Sequence, residues 1–217
     1  MIKTELTTSA QLSLITFVLS VFSSIIMIWF GLEKYKTENL IAGIFFIYIS
    51  LANLFQYFIW TDINDFTWSG NTIMSQISAL FIYTQPVVLY IIKLAIIQPP
   101  NFNWIYATIE SAFLLYALYC FSNYMKLQKT KASFPDKTTG LLEWSWLHYI
   151  DFIVYFSFFI FSIFIYVDFR YAILASIWLF SILDLSYFIV PNYFGALYCL
   201  IAGGSPLGIL LWQRLFI

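Results

Sequence analysis

The stretch FIYTQPVVLYIIK, residues 81–93, is an apolar run with Gln85 and Pro86 near its centre and Lys93 at its end. Such a run suits a lipid-spanning helix, which needs about 20 mostly apolar residues to cross a bilayer. A proline inside a helix removes a backbone hydrogen bond and clashes with the preceding turn, so Pro86 predicts a kink. The freed carbonyl needs a partner, and Gln85 is a candidate to supply it. A structural kink and a broken helix that lines a cavity are both open interpretations.

The composition of the whole chain points to a membrane. Its 217 residues are 62% hydrophobic and 10% charged, with a mean hydropathy of +0.85. Soluble domains are about 45–50% apolar and about 25% charged. The net charge of −1 leaves no electrostatic footprint for nucleic acid. Cys120 and Cys199 lie in apolar runs without a CxxC pattern, which favours buried thiols over a disulfide or a metal site.

Seven stretches are long and apolar enough to be transmembrane helices. They predict an all-α, polytopic integral membrane protein that forms one domain over residues 1–217, in a membrane that the sequence does not identify. The first stretch lacks an A-x-A cleavage pattern, so we expect it to be retained. The predicted spans are about 10–31, 40–60, 75–97, 104–124, 146–167, 171–190 and 195–216.

The segments that connect the predicted spans do not give the orientation of the chain in the membrane. Residues 122–144 hold four lysines, a proline and a glycine, which predicts a solvated loop. Lysine and arginine divide five to five between the two sides, so the positive-inside rule gives no orientation. Tryptophans at span ends are predicted to be interfacial anchors, namely Trp60, Trp68, Trp104, Trp144 and Trp146.

The third and seventh spans indicate an internal repeat. LFIYTQPVVLYIIK (80–93) laid over LIAGGSPLGILLWQ (200–213) pairs Pro86 with Pro206, Gln85 with Ser205 and Lys93 with Gln213. The second span can be laid over the sixth in the same direction. Spans 1–3 and 5–7 would then be parallel triplets, with span 4 as an inverting linker.

This three-plus-one-plus-three arrangement resembles the SWEET and PQ-loop transporter superfamily in helix count, chain length and paired midspan prolines. The dipeptide here is Gln85-Pro86, the reverse of the Pro-Gln of that superfamily, and the prolines lie in the third span of each triplet instead of the first. No substrate residue is therefore carried over. Retinal proteins need a lysine in the last span, and LYCLIAGGSPLGILLWQRLF has none, so a photoreceptor is not expected.

Polar residues inside the predicted spans are the candidate site residues, because polar and ionisable groups are costly in lipid. Lys93 and Glu110 lie at similar depth on neighbouring spans and are predicted to form an ion pair, unless Lys93 snorkels to the interface. The positions predicted to bind a solute or line a cavity are Gln85, Pro86, Asn53, Gln56, Asp184, Ser205 and Pro206.

A second polar cluster is predicted around the one histidine. His148 and Asp151 are three residues apart, and so lie on one face of the predicted fifth helix, with Asp184 at comparable depth. Histidine has an unperturbed pKa of about 6.5, so this cluster is predicted to be a gate or a proton-linked group. A structural polar network and an enzymatic centre are the alternatives.

Three classes of function follow from these residues. The first is a small-solute carrier or binding protein with a polar interior site, and the second is a receptor-like or structural membrane protein without transport. The third is a membrane-embedded enzyme acting on lipid. No GxSxG, HExxH, P-loop or GxGxxG pattern occurs, so we predict no catalytic residue, metal or cofactor. The expected partners are membrane lipid and a small polar solute, with a homo-oligomer left open and nucleic acid excluded.

Overall fold

A computed structural model describes the backbone of residues 2–62, 70–100, 102–126, 133–135, 142–144, 146, 150–189 and 201–216. The side chains of residues 2–8, 135, 152, 183–184, 186–189 and 215–216 are outside that description. The regular secondary structure within it is helical, apart from one antiparallel pair of two-residue strands. All-α is therefore the fold class.

Eight helices and one short 3-10 turn make up the described architecture. The strands β1 (Phe134–Pro135) and β2 (Leu142–Glu143) pair between α5 and α6. The 3-10 turn, Glu33–Tyr35, joins the first two helices. The helices are α1 (Ile2–Phe30), α2 (Lys36–Thr61), α3 (Gly70–Tyr83), α4 (Gln85–Ile97), α5 (Trp104–Met125), α6 (Phe152–Phe164), α7 (Phe169–Ile189) and α8 (Ser205–Phe216).

Three helices in the described residues are long and apolar enough to cross a membrane: Ser9–Phe30, Glu33–Thr61 and Trp104–Met125. The pair α3 and α4 adds a fourth if its two halves are one bent span. The shorter apolar helices Ile153–Phe164 and Phe169–Ile182 fall below that length. The structure thus supports three or four of the seven predicted spans, and the other three stay a prediction.

α1 turns small polar residues inward and large apolar residues outward. Ser13, Ser20, Ser23 and Ser24 are buried, whereas Leu12, Ile15, Val18, Leu19 and Phe22 are exposed. The Ser24 hydroxyl donates to the Ser20 carbonyl at 2.8 Å, so its polarity is satisfied within the helix. An added Cβ on Gly43 of α2 would lie 3.1 Å from the Ser24 carbonyl, which shows how closely α1 and α2 approach. Small residues on this face of α1 and on α2 thus allow the two helices to pack closely.

The predicted kink at Pro86 is confirmed. α3 and α4 meet at Thr84 with a bend of 58°, and Pro86 lies in the first turn of α4. The Phe81 carbonyl at the break accepts hydrogen bonds from the Tyr48 hydroxyl at 2.9 Å and the Thr84 hydroxyl at 3.3 Å. Gln85, the candidate supplier, accepts a bond from Tyr155 instead. The donors at the kink are therefore hydroxyls.

Part of the connection between α5 and α6 packs against the helices, which differs from the predicted solvated loop, whereas Lys126 and Glu143 of the same connection are exposed. Ser133, Leu142, Trp144 and Trp146 are all buried. The Ser133 backbone donates to Asn71 of α3 at 3.1 Å, which ties this connection to the helices. Trp144 and Trp146 are consequently not interfacial anchors, because apolar packing holds both indoles inside.

The structure also changes the expectations for the other tryptophans and for the fifth span. Trp60 is buried in the core, so it is no interfacial anchor either, whereas Trp104 is exposed as an anchor would be. Trp68 is outside the described residues. Among the described residues of the predicted fifth span, 146–167, the helix runs from Phe152 to Phe164, and Asp151 caps its start.

Replacing Ser24 with leucine should separate α1 from α2. The larger side chain must enter a contact that only a hydroxymethyl group fits, and we expect a loss of about 1–3 kcal/mol in the free energy of unfolding. The midpoint of thermal unfolding in detergent measures this change. Ser157→Leu is the control, because that serine also bonds its own helix, to the Ile153 carbonyl at 2.7 Å, but is exposed. Equal midpoints for the two variants would contradict the close packing.

Removing the Tyr48 hydroxyl should destabilise the chain at the break between α3 and α4. Tyr48→Phe keeps the ring and removes one of the two hydroxyl donors to the Phe81 carbonyl. We expect a loss of about 0.5–1.5 kcal/mol in the free energy of unfolding, the net contribution of one hydrogen bond. The same midpoint is the readout, with the exposed Tyr119→Phe as control. A Tyr48→Phe midpoint identical to that of the unmodified chain would show that Thr84 alone serves the break.

Candidate functional site

A cavity of about 90 Å³ lies between α2, α4, α6, α7 and α8. Most of its lining is aliphatic or aromatic, with Phe45, Leu89, Phe159 and Leu179 among the walls. The lining residues with polar atoms in their side chains are Glu38, Lys93, Tyr171, Trp178 and Ser205. The cavity thus combines an apolar body with a few polar groups at fixed places, as small-molecule sites do.

One end of the cavity is formed where α2 and α7 begin. The Glu38 carboxylate accepts a hydrogen bond from the Asp168 backbone at 3.4 Å, and Asp168 caps α7 by accepting from the Arg170 backbone at 2.9 Å. The Tyr171 ring packs on Tyr35, with the ring centres 5.7 Å apart. The Tyr171 hydroxyl is buried and has no hydrogen-bond partner among the described residues. At this end of the cavity it is therefore the polar atom that can still form a hydrogen bond.

Lys93 closes another side by capping α6. Its ammonium donates to the Ser162 carbonyl, to the Ile163 carbonyl at 2.8 Å and to the Ile165 carbonyl at 2.9 Å. The last carbonyls of a helix have no partner within the helix, and a cation at that end also suits the helix dipole. Since Lys93 is only 1% exposed, the ammonium is fully committed to the end of α6.

Glu110 joins the same helix end through a hydroxyl. The Ser162 side chain donates to Glu110 Oε1 at 2.5 Å, so Ser162 bonds Lys93 through its carbonyl and Glu110 through its hydroxyl. Across the described residues the one ion pair within 4 Å is Lys36 with Glu33. Lys93 and Glu110 are therefore bridged by Ser162 and do not make the direct contact that the sequence analysis expected, because the carbonyls of α6 take the ammonium.

The wall between α7 and α8 is made by an indole. Trp178 of α7 donates from Nε1 to the Ser205 hydroxyl at 2.9 Å, where α8 begins. An added Cβ on Gly208 would lie 2.8 Å from Trp178 Cζ2, so the ring lies flush against the α8 backbone. The two polar atoms of this wall satisfy each other, which leaves the cavity surface there effectively apolar.

The residues predicted to bind a solute are dispersed. Ser205 lines the cavity, whereas Gln85 is buried against Tyr155, whose hydroxyl donates to its side-chain oxygen at 2.6 Å. Asn53 and Gln56 are buried along α2 and are not part of the described lining. Pro86 and Pro206 each lie in the first turn of a helix that follows a break, α4 and α8.

The predicted gate cannot be placed as a unit. His148 and the Asp184 side chain are outside the described residues. Asp151 precedes α6 and caps it, accepting from the Ile153 backbone at 2.8 Å and the Val154 backbone at 3.1 Å. Asp151 itself precedes α6, which begins at Phe152, and its predicted pairing with His148 on one helical face lies outside the described residues.

Sequence reasoning missed two of the residues that line the cavity. Tyr171 and Trp178 lie in the predicted span 171–190 but were not among the predicted site residues. The usable signal was spacing, because Tyr171, Ala175 and Trp178 recur at three- and four-residue steps and therefore share one face of α7. No group of three or more metal-ligating side chains occurs within the described part of the chain.

Comparison of the chain with protein-family models, with curated proteins and with solved structures found no match.

Lys93 should be more important for stability than Glu110. Lys93→Met leaves three carbonyls of α6 without a donor, and hydrogen bonds to a charged group are worth about 1.5–3 kcal/mol each, so a loss of at least about 3 kcal/mol is expected. Glu110→Gln keeps an acceptor for Ser162 and should cost under about 1.5 kcal/mol. The readout is the thermal midpoint in detergent, and the exposed Lys36→Met is the control. A smaller effect for Lys93→Met than for Glu110→Gln would contradict the capping role.

Proposed function

We propose that the chain is a multi-pass integral membrane protein that binds a small apolar molecule in the cavity between α2, α4, α6, α7 and α8. The observation that carries this proposal is the apolar lining of that cavity, in a bundle whose outer surface is also apolar. A molecule dissolved in the hydrocarbon phase would meet matching surfaces outside and inside. Transport of that molecule, as opposed to binding alone, is the finer form of the proposal.

The chemistry of the guest follows from the polar groups that are free to bind it. Lys93 is committed to three carbonyls, and Trp178 and Ser205 bond each other. A sugar or an amino acid would lose its bonds to water and find few replacements, at about 1–3 kcal/mol for each unpaired group. A small apolar molecule with at most one polar atom, placed near Tyr171, loses nothing comparable. The guest therefore differs from the polar solute expected from the sequence.

The size of the cavity sets the scale of the guest. At about 90 Å³ it is smaller than the apolar cavity of about 150 Å³ that takes up benzene in an engineered protein. A nucleoside or a disaccharide is too large without rearrangement of the helices. A single aromatic ring or a short aliphatic chain is the appropriate class.

We extend the proposal to seven spans in two related triplets, α1 to α4 and α6 to α8, with α5 between them. Two equivalent contacts support this arrangement. Lys93 and Gln213 each lie seven residues after the proline of a broken helix. Lys93 bonds the connection after α6, and Gln213 accepts from the Leu32 backbone, in the connection after α1, at 3.2 Å. Each triplet thus holds the other in the same way, which favours the resemblance to SWEET and PQ-loop transporters.

A receptor-like or structural protein is the second candidate. The observation in its favour is that several buried polar residues serve as ties between helices, as in the pair of Asn39 and Gln213, where Gln213 Nε2 donates to Asn39 Oδ1 at 2.6 Å. An enzyme acting on lipid is the weaker third candidate. It depended on His148, Asp151 and Asp184, of which Asp151 caps a helix.

Thermal unfolding of the purified chain in lipid nanodiscs tests the first proposal. The ligands are fluorobenzene and short fluorinated alkanes, against glucose, glycine and adenosine at matched concentrations. A ligand at about 100 times its dissociation constant stabilises by about 2.7 kcal/mol, and we expect that effect from the apolar ligands alone. Stabilisation by a polar solute and by no apolar ligand would overturn the proposal.

A cavity-filling variant makes this test specific. Ala42 lines the cavity, so Ala42→Leu should abolish the ligand-induced shift while leaving the chain folded. Ala95→Leu is the matched control, because Ala95 is exposed on α4 and its leucine enters no cavity. A shift that survives in Ala42→Leu would show that the ligand binds elsewhere, and the structural candidate would then be favoured.

A further inference from the structure

A second hollow lies on the outer side of the same wall. It is a groove of about 140 Å³ between α7 and α8, which we call the α7–α8 groove, and Ile177, Ser181, Gly208 and Trp212 are among its lining residues. The groove continues the outer apolar surface, since Ile177 is 57% exposed and Leu211, beside Trp212 in α8, is 61% exposed. In a bilayer this face borders the hydrocarbon phase.

The groove and the cavity share part of their walls. Tyr171, Ala175, Trp178 and Ile209 line both. Of these four, Trp178 is 41% exposed and reaches between the two hollows. The two hollows are therefore neighbours that share part of one wall, and Trp178 is the largest side chain in the shared part.

Two contacts are important for the position of the Trp178 indole. One hydrogen bond joins its Nε1 to Ser205, and its ring lies on Gly208, where any larger residue would displace it. Rotation of the indole would break that hydrogen bond and move the ring off the α8 backbone at Gly208. The other end of the cavity is held more firmly, because the Glu38 contact with Asp168 and the Lys93 cap on α6 tie α2, α4, α6 and α7 together.

We propose that a small apolar molecule dissolved in the membrane enters the cavity sideways through the α7–α8 groove, and that the Trp178 indole, latched on Ser205, is the gate. This inference rests on the proposed function, since it supplies the route by which the guest reaches its site. On this proposal Ser205 controls how fast the molecule enters and leaves the cavity, and has little effect on how tightly the molecule binds.

Exchange of fluorobenzene measured by ¹⁹F saturation-transfer NMR, with the full chain in nanodiscs, tests the gate. Ser205→Ala removes the latch and should raise the dissociation rate about tenfold, the effect of one hydrogen bond of ordinary strength. The dissociation constant should change by less than about threefold, because association rises too. Ser181→Ala is the control, since that serine also lines the groove but bonds its own helix at the Ile177 carbonyl, 2.8 Å away.

A second variant separates the latch from a general loosening. Trp178→Phe keeps a ring at the wall and removes Nε1–H, so it should raise the rate about as much as Ser205→Ala. The double variant should add little further, because both changes remove the same bond. Additive effects, or a rate in Ser205→Ala equal to that of Ser181→Ala, would overturn the gate alone. No bound fluorobenzene signal in the unmodified chain would overturn the proposed function and the gate with it.

Discussion

The pairing of backbone carbonyls inside an apolar bundle is the constraint on which this structure depends. In a medium without water, each carbonyl that a helix leaves unpaired costs free energy until a side chain supplies a donor. The chain meets that requirement with one long cation at the end of α6, Lys93, and with hydroxyls at the break before α4, Tyr48 and Thr84. Each donor comes from a helix other than the one it completes or from the turn itself. The helix ends are consequently fixed by tertiary contacts, and the cavity lies where these tied helices leave space.

The same constraint decides the chemistry of the interior. Because these donors bond backbone carbonyls, few polar atoms remain to line the cavity, and its surface is mostly apolar although the surrounding helices contain many polar residues. Asn39 and Gln213 bond each other, and Trp178 bonds Ser205. These buried polar side chains thus serve mainly to join helices. The cavity is apolar because the polar side chains around it bond one another or backbone carbonyls.

The parts of the fold that the sequence predicts are those governed by local rules. Long apolar runs predict the helices of α1, α2 and α5, and Pro86 predicts the bend between α3 and α4, because a proline disrupts its own turn wherever it lies. The small residues of α1 predict close packing for the same local reason. Other features depend on which distant groups meet. Lys93 was expected to contact Glu110, but the free carbonyls of α6 compete for the ammonium, and no local pattern places that helix end beside it. The cavity itself is formed by five helices, so its lining could not be listed from any one of them.

The tie between Gln213 and Leu32 has a consequence for biosynthesis. The two residues are 181 positions apart in the chain, so the turn after α1 leaves the ribosome long before its partner exists. During that interval the Leu32 N–H lacks the acceptor that Gln213 provides in the finished fold. Lys93, in contrast, is already present when α6 emerges, and it can cap that helix as soon as the helix is made. The contact that caps α6 can therefore form as soon as α6 is synthesised. The contact that completes the turn after α1 forms only after α8 has been synthesised.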